Sequence, residues 1–318
     1  MREGVCLNHF ILTRFNLLLF IQDKERNKVR TTSWLEHRFA LFERYCLPSI
    51  IGQTCQEFTW IVLFDSTTPE KFKEKIREYQ KRCPQFVPVY VRPEGGRFFA
   101  QIFRDEVVKR LVSNDKHQEF ENSRIDSTSK DSENSELTTD SKLSTLNSEL
   151  KVLTTYLDND DALNVRFVED IQRRASELSD GTFITYDSGY QYFTDYKYVM
   201  QTHYPRNHFM SVVEKAGISV KTIYGYGSHY YIDKIEGVKI KHVKNLPMWC
   251  EVIHEKNMGN DAYFLMARMK CDSELLSRDF SIDEKVHAGL GLYLFKFVPR
   301  YIKTFVRRIG YFFFGRKW

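Results

Sequence analysis

The run KVLTTYLDNDD, residues 151–161, decides how the chain is read. Lys151–Leu157 is a short run of apolar and β-branched side chains, the composition of a strand buried on both faces. It stops on Asp158-Asn159-Asp160-Asp161, which sets three carboxylates within four positions. In an extended chain residues i and i+2 point the same way, so Asp158 and Asp160 are expected to face one ligand. Like charges this close are unfavourable unless a cation or a set of donors compensates them. A hard divalent ion, Mg²⁺ or Mn²⁺, with oxygen ligands and a diphosphate completing its shell would do so. A strand-to-helix turn capped by Asp160 or Asp161 is the other use of these residues. The run alone leaves both readings open.

Upstream, the pattern alternates. His9–Thr13 (HFILT), Trp60–Phe64 (WIVLF) and Val87–Val91 read as strands, and 34–52, 69–81 and 98–112 as helices. Strand–helix alternation predicts an α/β fold, a doubly wound and mostly parallel sheet covered on both faces. Pro88 places the third strand at an edge. Asp158 and Asp160 then lie at the carboxyl end of strand four, beside strand one, which ends at Thr13-Arg14. That crevice is where open parallel sheets bind nucleotides. Asp65, closing strand two, lines the same edge as an acceptor for a base or ribose, or opens the turn DSTTP. Neither GxxxxGK[ST] nor GxGxxG occurs, so neither a P-loop nor a dinucleotide site is expected.

Downstream, a helix is expected from Ala162 to Ala175, then strands over 182–186, 190–193 and 196–200. A short helix over 208–216, strands over 238–243 and 248–254 and a helix over 261–270 complete the pattern. This half reads as a smaller antiparallel, substrate-side part, rich in tyrosine from Tyr186 to Tyr198. Residues 113–150 hold 13 Ser/Thr and nine acids with few large apolar side chains, which predicts a flexible insertion inside one domain of residues 1–284.

The formal net charge of +5 is unevenly spread. Residues 285–318 carry eight Lys/Arg and no Asp/Glu, leaving 39 basic against 42 acidic side chains before them. A mildly acidic body does not suit nucleic acid. In the tail, Leu294, Val298, Tyr301, Ile302, Phe305 and Ile309 recur on one side, and Lys296, Arg300, Lys303 and Arg307 on another. A basic amphipathic helix of this kind suits an anionic membrane interface or a berth on the domain itself. Six scattered cysteines suggest neither a zinc site nor a disulfide framework. The first residues do not read as a signal peptide and no apolar run is long enough to span a bilayer. The expected location is cytoplasmic, peripheral at the inner face of the cell membrane.

LPSIIGQTCQEFTWIVLFDSTTPE (residues 47–70) resembles the signature of family 2-like GT-A glycosyltransferases, and LDNDD stands where those enzymes carry their DxD motif. The ordered set HFILTRFN, WLEHRFALFERYCLPSIIGQT, TTYLDNDDAL, GYQY, NHFMSVVE and MWCEVIHEKN resembles the bacterial rhamnosyltransferase family over roughly residues 8–260. The resemblance implies a GT-A fold, a nucleoside diphosphate sugar donor, a divalent metal and a saccharide or lipid-linked glycan acceptor in surface polysaccharide synthesis. It implies that Asp65 holds the base or ribose and that Thr13 and Arg14 border the nucleotide. Asp158 and Asp160 would bind ribose and metal-diphosphate, with Asp161 in support and His254 as a further metal or diphosphate contact. An inverting transfer also needs a carboxylate base. Glu214, Asp187, Glu251 and Asp261 are the candidates, Glu214 first because its segment follows the aromatic section. One departure is Tyr156, where the family's Thr-Arg-Leu-Asp-x-Asp-Asp run has arginine; it allows a non-catalytic sugar- or nucleotide-binding module on the same fold.

Overall fold

The computed structural model describes residues 7–17, 31–92, 99–123, 150–217, 219–254 and 268–287, with isolated positions from 291 to 306 and only the backbone over 114–123. The first half comprises β1 (Leu7–Arg14), α1 (Thr32–Leu41), α2 (Leu47–Ile51), β2 (Thr59–Asp65), α3 (Glu70–Arg82), β3 (Phe86–Val91), α4 (Phe99–Ser123) and β4 (Lys151–Tyr156). Thr31 caps α1 by accepting from the Trp34 N–H at 3.1 Å. A π turn over Phe42–Cys46 joins α1 to α2. In α3, opened by Pro69, Phe72, Ile76 and Tyr79 make one buried stripe at helical spacing. The second half comprises β5 (Ala162–Leu163), α5 (Phe167–Ala175), β6 (Thr182–Phe193), β7 (Tyr198–His203), β8 (Met210–Lys215), β9 (Lys239–Ile253), β10 (Arg268–Lys270) and α6 (Leu275–Phe280).

These strands form one sheet in the order β10-β7-β6-β8-β4-β1-β2-β3, with β9 pairing both β5 and β6. β1 runs parallel to β2 and to β4, and β2 parallel to β3. Pro88 does sit on an edge strand, where its missing N–H costs the ladder nothing. Successive side chains feed opposite cores. Ile11, Trp60, Val62 and Phe64 pack with α1–α3 and α5 on one face, and Phe10, Leu12, Ile61 and Leu63 with α4 on the other. The fold class is thus the expected doubly wound α/β arrangement.

Several boundaries differ from expectation. The helix expected from Ala162 begins only at Phe167, because Ala162 and Leu163 pair antiparallel with Cys250 and Trp249. The two strands expected over 182–193 are one, as are the two over 238–254. The helix expected over 208–216 is strand β8. Val212 and Val213, β-branched and buried, suit the slot between β4 and β6 better than a helix face. The antiparallel part is therefore larger than foreseen. α4 runs into the stretch read as an insertion, and 124–149 lie outside the described residues, as do Asp261 and most of its expected helix. No helix among the described residues is long and apolar enough to cross a membrane.

Two features hold the antiparallel half against the parallel one. A β-carbon on Gly189 would lie 2.0 Å from the Trp249 indole, so only glycine lets that ring lie on β6. Trp249 then donates to the Tyr186 carbonyl at 2.8 Å, stacks on Phe209 and, by pairing with Leu163, anchors the chain just beyond LDNDD. Further on, Leu275, Leu276, Phe280, Ile282 and Val286 pack beside Tyr190 and Tyr192. Buried Glu284 pairs there with Arg44 and Lys197, which seats the chain immediately before the basic tail.

Inside the sheet, His9 Nε2 lies 2.8 Å from Thr155 Oγ1, which lies 2.7 Å from Ser211 Oγ, while Gln172 Nε2 approaches His9 Nδ1 at 3.3 Å. An amide donating to Nδ1 leaves the proton on Nε2 and the ring neutral. Burial pushes His9 down to about 3. A folded pKa below the unfolded value of about 6.5 means that stability is full above pH 6.5 and lost as pH falls from there towards 3. At pH 5 the loss from this residue is about 2 kcal/mol. Denaturant unfolding of His9→Gln should show a flatter difference between pH 7 and pH 5 than the parent by about that amount; an unchanged difference would place the acid-labile group elsewhere.

Candidate active site

β1 and β4 lie side by side with Leu12 opposite Tyr156, so the LDNDD loop leaves the sheet beside the end of β1. The Leu157 N–H donates to the Leu12 carbonyl at 3.1 Å, and the Asn159 amide donates to the carbonyls of Arg14 and Phe15 at 2.8 Å each. The loop turns at Asn159-Asp160 instead of staying extended, so Asp158 and Asp160 do not share a face.

Asp158, the most open of the three, accepts from the Tyr156 hydroxyl at 2.8 Å and lies 4.0 Å from the Arg14 guanidinium. Asp160 is buried between Arg38 Nη1 at 2.9 Å and His254 Nε2 at 3.1 Å. Burial would raise its pKa, but Arg38 and His254 outweigh burial and hold it well below the usual carboxylate range. Asp161 is fully buried, 2.9 Å from His208 Nε2, and accepts from the Val252 N–H at 2.8 Å. Burial, reinforced by the neighbouring carboxylates and opposed by His208, pushes it above the usual range. For His208, burial is outweighed by Asp161 and Asp158, which hold the imidazolium up at about 9.

The group that converges is therefore Asp158, Asp161 and His208, whose donor atoms all lie within 4.8 Å of one another. Two carboxylate oxygens suit Mg²⁺ or Mn²⁺, and the His208 nitrogen can join them once an ion displaces its proton. Around them, the buried Nε atoms of Arg14 and Arg38 and Oδ1 of Asn159 have no hydrogen-bond partner among the described residues, as expected where a polar ligand completes the bonding. Asp160 and His254, expected as metal contacts, instead pair with each other beside Arg38. The sequence reading missed His208, Arg38 and Asn159. The first two lie in NHFMSVVE and WLEHRFALF, motifs noted for their resemblance and not for their chemistry.

Other expected residues are placed differently. Glu214 is not at the site. It faces Val152 on β4, about 13 Å back along the strand from Tyr156. Its carboxylate accepts from the backbone N–H groups of Lys221 and Thr222 at 2.9 Å each and from the Tyr226 hydroxyl at 3.1 Å, which holds the turn after β8. This position keeps Glu214 away from the LDNDD loop. The Thr13 side chain is fully buried and its hydroxyl accepts from the Trp60 indole N–H at 2.9 Å. Asp65 stands at the carboxyl end of β2, where Oδ1 accepts from the Thr67 N–H and hydroxyl, the turn-opening use of Asp. Of the remaining acids, Asp187 bonds His242 at 2.7 Å. Glu251 on β9 is buried, receives a bond from Gln191 at 2.5 Å and is raised by burial to about 7, opposed by the His208 charge and reinforced by Asp161.

A cavity of about 400 Å³ opens beside the cluster, lined by Arg14, Phe99, Tyr156, His208, Tyr224 and His229 among others. The Arg14 guanidinium lies 4.7 Å from the Phe99 ring centre and 5.1 Å from that of Tyr224, and donates to the Tyr156 hydroxyl at 2.8 Å. Tyr156 thus carries Arg14 to Asp158 through one hydroxyl.

A family model described as "Putative rhamnosyl transferase" matches residues 8–129 and 117–264. The chain belongs to this family. With the sheet order above, its fold is of the GT-A type. No functionally curated protein matches the sequence. Among solved structures, S. aureus TarS residues 1–349 in complex with UDP-GlcNAc is 8% identical with a TM-score of 0.37, covering 80% of this chain and 61% of that one. S. aureus TarS is 9% identical with the same score, covering 78% and 37%. The rhamnosyltransferase-family chain thus spans about three fifths or less of these TarS chains.

Because Asp160 is buried and Arg38 mostly so, removing one partner leaves a poorly compensated charge. Arg38→Leu should destabilise the protein by about 3 kcal/mol, and adding Asp160→Asn should recover part of that loss. Denaturant unfolding of the single and double variants measures the coupling; strict additivity would mean that the pair carries none.

Proposed function

We propose that this member of the family transfers a rhamnosyl residue from a nucleoside diphosphate donor to a saccharide acceptor, assisted by Mg²⁺ or Mn²⁺. The observation that carries this reading is the convergence of Asp158, Asp161 and His208 at the carboxyl end of β4, in the crevice beside β1. These three residues would hold the ion, which when bound supplies Lewis-acid stabilisation to the leaving diphosphate. Among the described residues nothing bonds the buried Nε–H of Arg14 or of Arg38, and charge-assisted bonds from these to phosphate oxygens would orient the diphosphate. In the transfer, an acceptor hydroxyl oxygen forms a bond to the anomeric carbon as the bond from that carbon to the diphosphate oxygen breaks. The electron pair leaves with the nucleoside diphosphate. The hydroxyl proton passes to a carboxylate, for which we take Glu251 in place of Glu214: it is buried on β9, two residues after Trp249, and burial raises its proton affinity to about 7.

Release of nucleoside diphosphate from a panel of nucleotide sugars that includes a rhamnosyl donor tests this directly. Turnover should require added Mn²⁺ or Mg²⁺ and fall by about 10²–10³ in Asp158→Asn and Asp161→Asn. Glu251→Gln should lose turnover while still binding the nucleotide. Binding of nucleotide with no turnover of any donor would leave a binding module and defeat the enzyme reading.

The tail gives the proposal a place. Leu294, Phe295, Ile302, Phe305 and Val306 are exposed, in a segment whose only charges are basic. We place this segment on the anionic inner face of the cell membrane, where a lipid-linked acceptor would be at hand. Deleting residues 290–318 should move the protein from the membrane to the soluble fraction and abolish its retention by vesicles containing anionic lipid; unchanged partitioning would refute the role.

A further inference from the structure

The cavity beside the carboxylates has a directional lining. Its walls come from the end of β1, the start of α4, the end of β4, the approach to β8 and the segment 223–232; β2 and β3 contribute nothing to it. It therefore opens on the side of the cluster away from Asp65. Rings run through it without a gap. Tyr224 and Tyr156 have centres 4.9 Å apart, Tyr156 and His208 5.6 Å, His208 and His229 5.9 Å, and His229 and Tyr230 3.9 Å. The row begins at Asp158, which Tyr156 touches, and ends at the surface.

The surface end is unusual for this protein. Among the described residues before the tail, the exposed large apolar side chains are Tyr90, Tyr230, Tyr231 and Ile235, so two of the four sit in the segment that walls the cavity and a third lies just after it. That segment is held in place: Arg206 pairs with Asp233, and the Ser228 hydroxyl accepts from the Tyr230 N–H at 3.4 Å. Lys234 Nζ lies 4.9 Å from the centre of the Tyr231 ring. Among the described residues no carboxylate lines the cavity, which does not favour a cationic ligand there. The chemistry on offer is flat aromatic faces, imidazole and hydroxyl groups and one half-buried guanidinium. A pyranose ring, with an apolar C–H face and a rim of hydroxyls, uses all of these.

We propose that the cavity and the Tyr230–Tyr231 lip form one acceptor-binding surface for an extended saccharide. The sugar that receives the transfer sits at the His208 end of the cavity with its reacting hydroxyl directed past the lining towards Glu251, and the preceding sugar stacks on Tyr230 and Tyr231. This rests on the glycosyltransferase reading and adds to it the acceptor's location and its extended form. The nucleoside end of the donor is left the other side of the cluster, over β1 and β2.

Saturation-transfer NMR with free L-rhamnose, D-glucose and N-acetylglucosamine, and with linear oligosaccharides of each, tests the assignment. Nucleoside diphosphate affinity is measured on the same samples by calorimetry. Tyr230 and Tyr231 are exposed, so alanine there leaves the core intact. At least one oligosaccharide should bind more tightly than its monosaccharide, and Tyr230→Ala and Tyr231→Ala should each weaken it roughly 3- to 10-fold. The monosaccharide should bind these two variants as it binds the parent. Ser228→Trp, which fills the mouth from an exposed position, should abolish saccharide binding, with nucleoside diphosphate affinity within about twofold of the parent in all three variants. Equal oligosaccharide binding by the tyrosine variants and the parent would overturn the proposal, as would a full panel of sugars with no saturation while the nucleotide binds. Loss of nucleoside diphosphate binding in Ser228→Trp would assign the cavity to the donor and overturn it too. None of these outcomes bears on donor turnover, which tests the transferase reading separately.

Discussion

Everything at this site depends on holding three carboxylates in one turn without leaving any of them uncompensated. The compensation comes from four separate elements: Arg14 from β1, Arg38 from α1, His208 from the approach to β8 and His254 from the end of β9. A buried charge that loses its partner costs several kcal/mol, so the turn reports on the placement of all four. This makes the LDNDD loop the junction of the fold as well as its chemical centre. The parallel half supplies two guanidinium groups that stay charged at any working pH. The antiparallel half supplies two imidazoles, whose state depends on their surroundings.

Much of the first half was legible because each strand there is flanked by helices of clear period. WIVLF and KVLTTYL are continuous apolar runs, as strands covered on both faces must be, and Pro88 marked the edge. The second half was less legible, because strand and helix share a composition there. MSVVE over residues 210–214 fits a helical stripe and an alternating strand equally well on paper. What decides it is the open ladder on β4, a tertiary fact. β6 and β9 were read as broken because register shifts near Ser188 disturb their alternation while the pairing continues.

The site was half legible for a related reason. The carboxylates announce themselves, but the rule that i and i+2 share a face holds only while the chain stays extended. Asn159 ends that by turning its amide onto the carbonyls of Arg14 and Phe15, so Asp158 and Asp161 converge in place of Asp158 and Asp160. His208 and Arg38 lie 47 and 122 residues from their carboxylate partners. No local pattern points from one to the other. Glu214 shows the converse: a carboxylate in a suggestive motif that the strand direction carries to the far end of the sheet, where it holds a turn.

Tyr156 shows how one position alters the wiring of the site. An arginine there would bring a second fixed charge beside Arg14, and like charges in a buried space repel. The tyrosine instead accepts from Arg14 and donates to Asp158, so a single guanidinium serves the carboxylate through a neutral hydroxyl. Its ring also packs between Tyr224 and His208, which joins the carboxylate cluster to the aromatic wall. Charge would hold an ion and a diphosphate on one side of that ring, while stacking would hold a sugar on the other. Tyr156 belongs to both arrangements, and a side chain that did only one of these jobs would separate the leaving group from the acceptor.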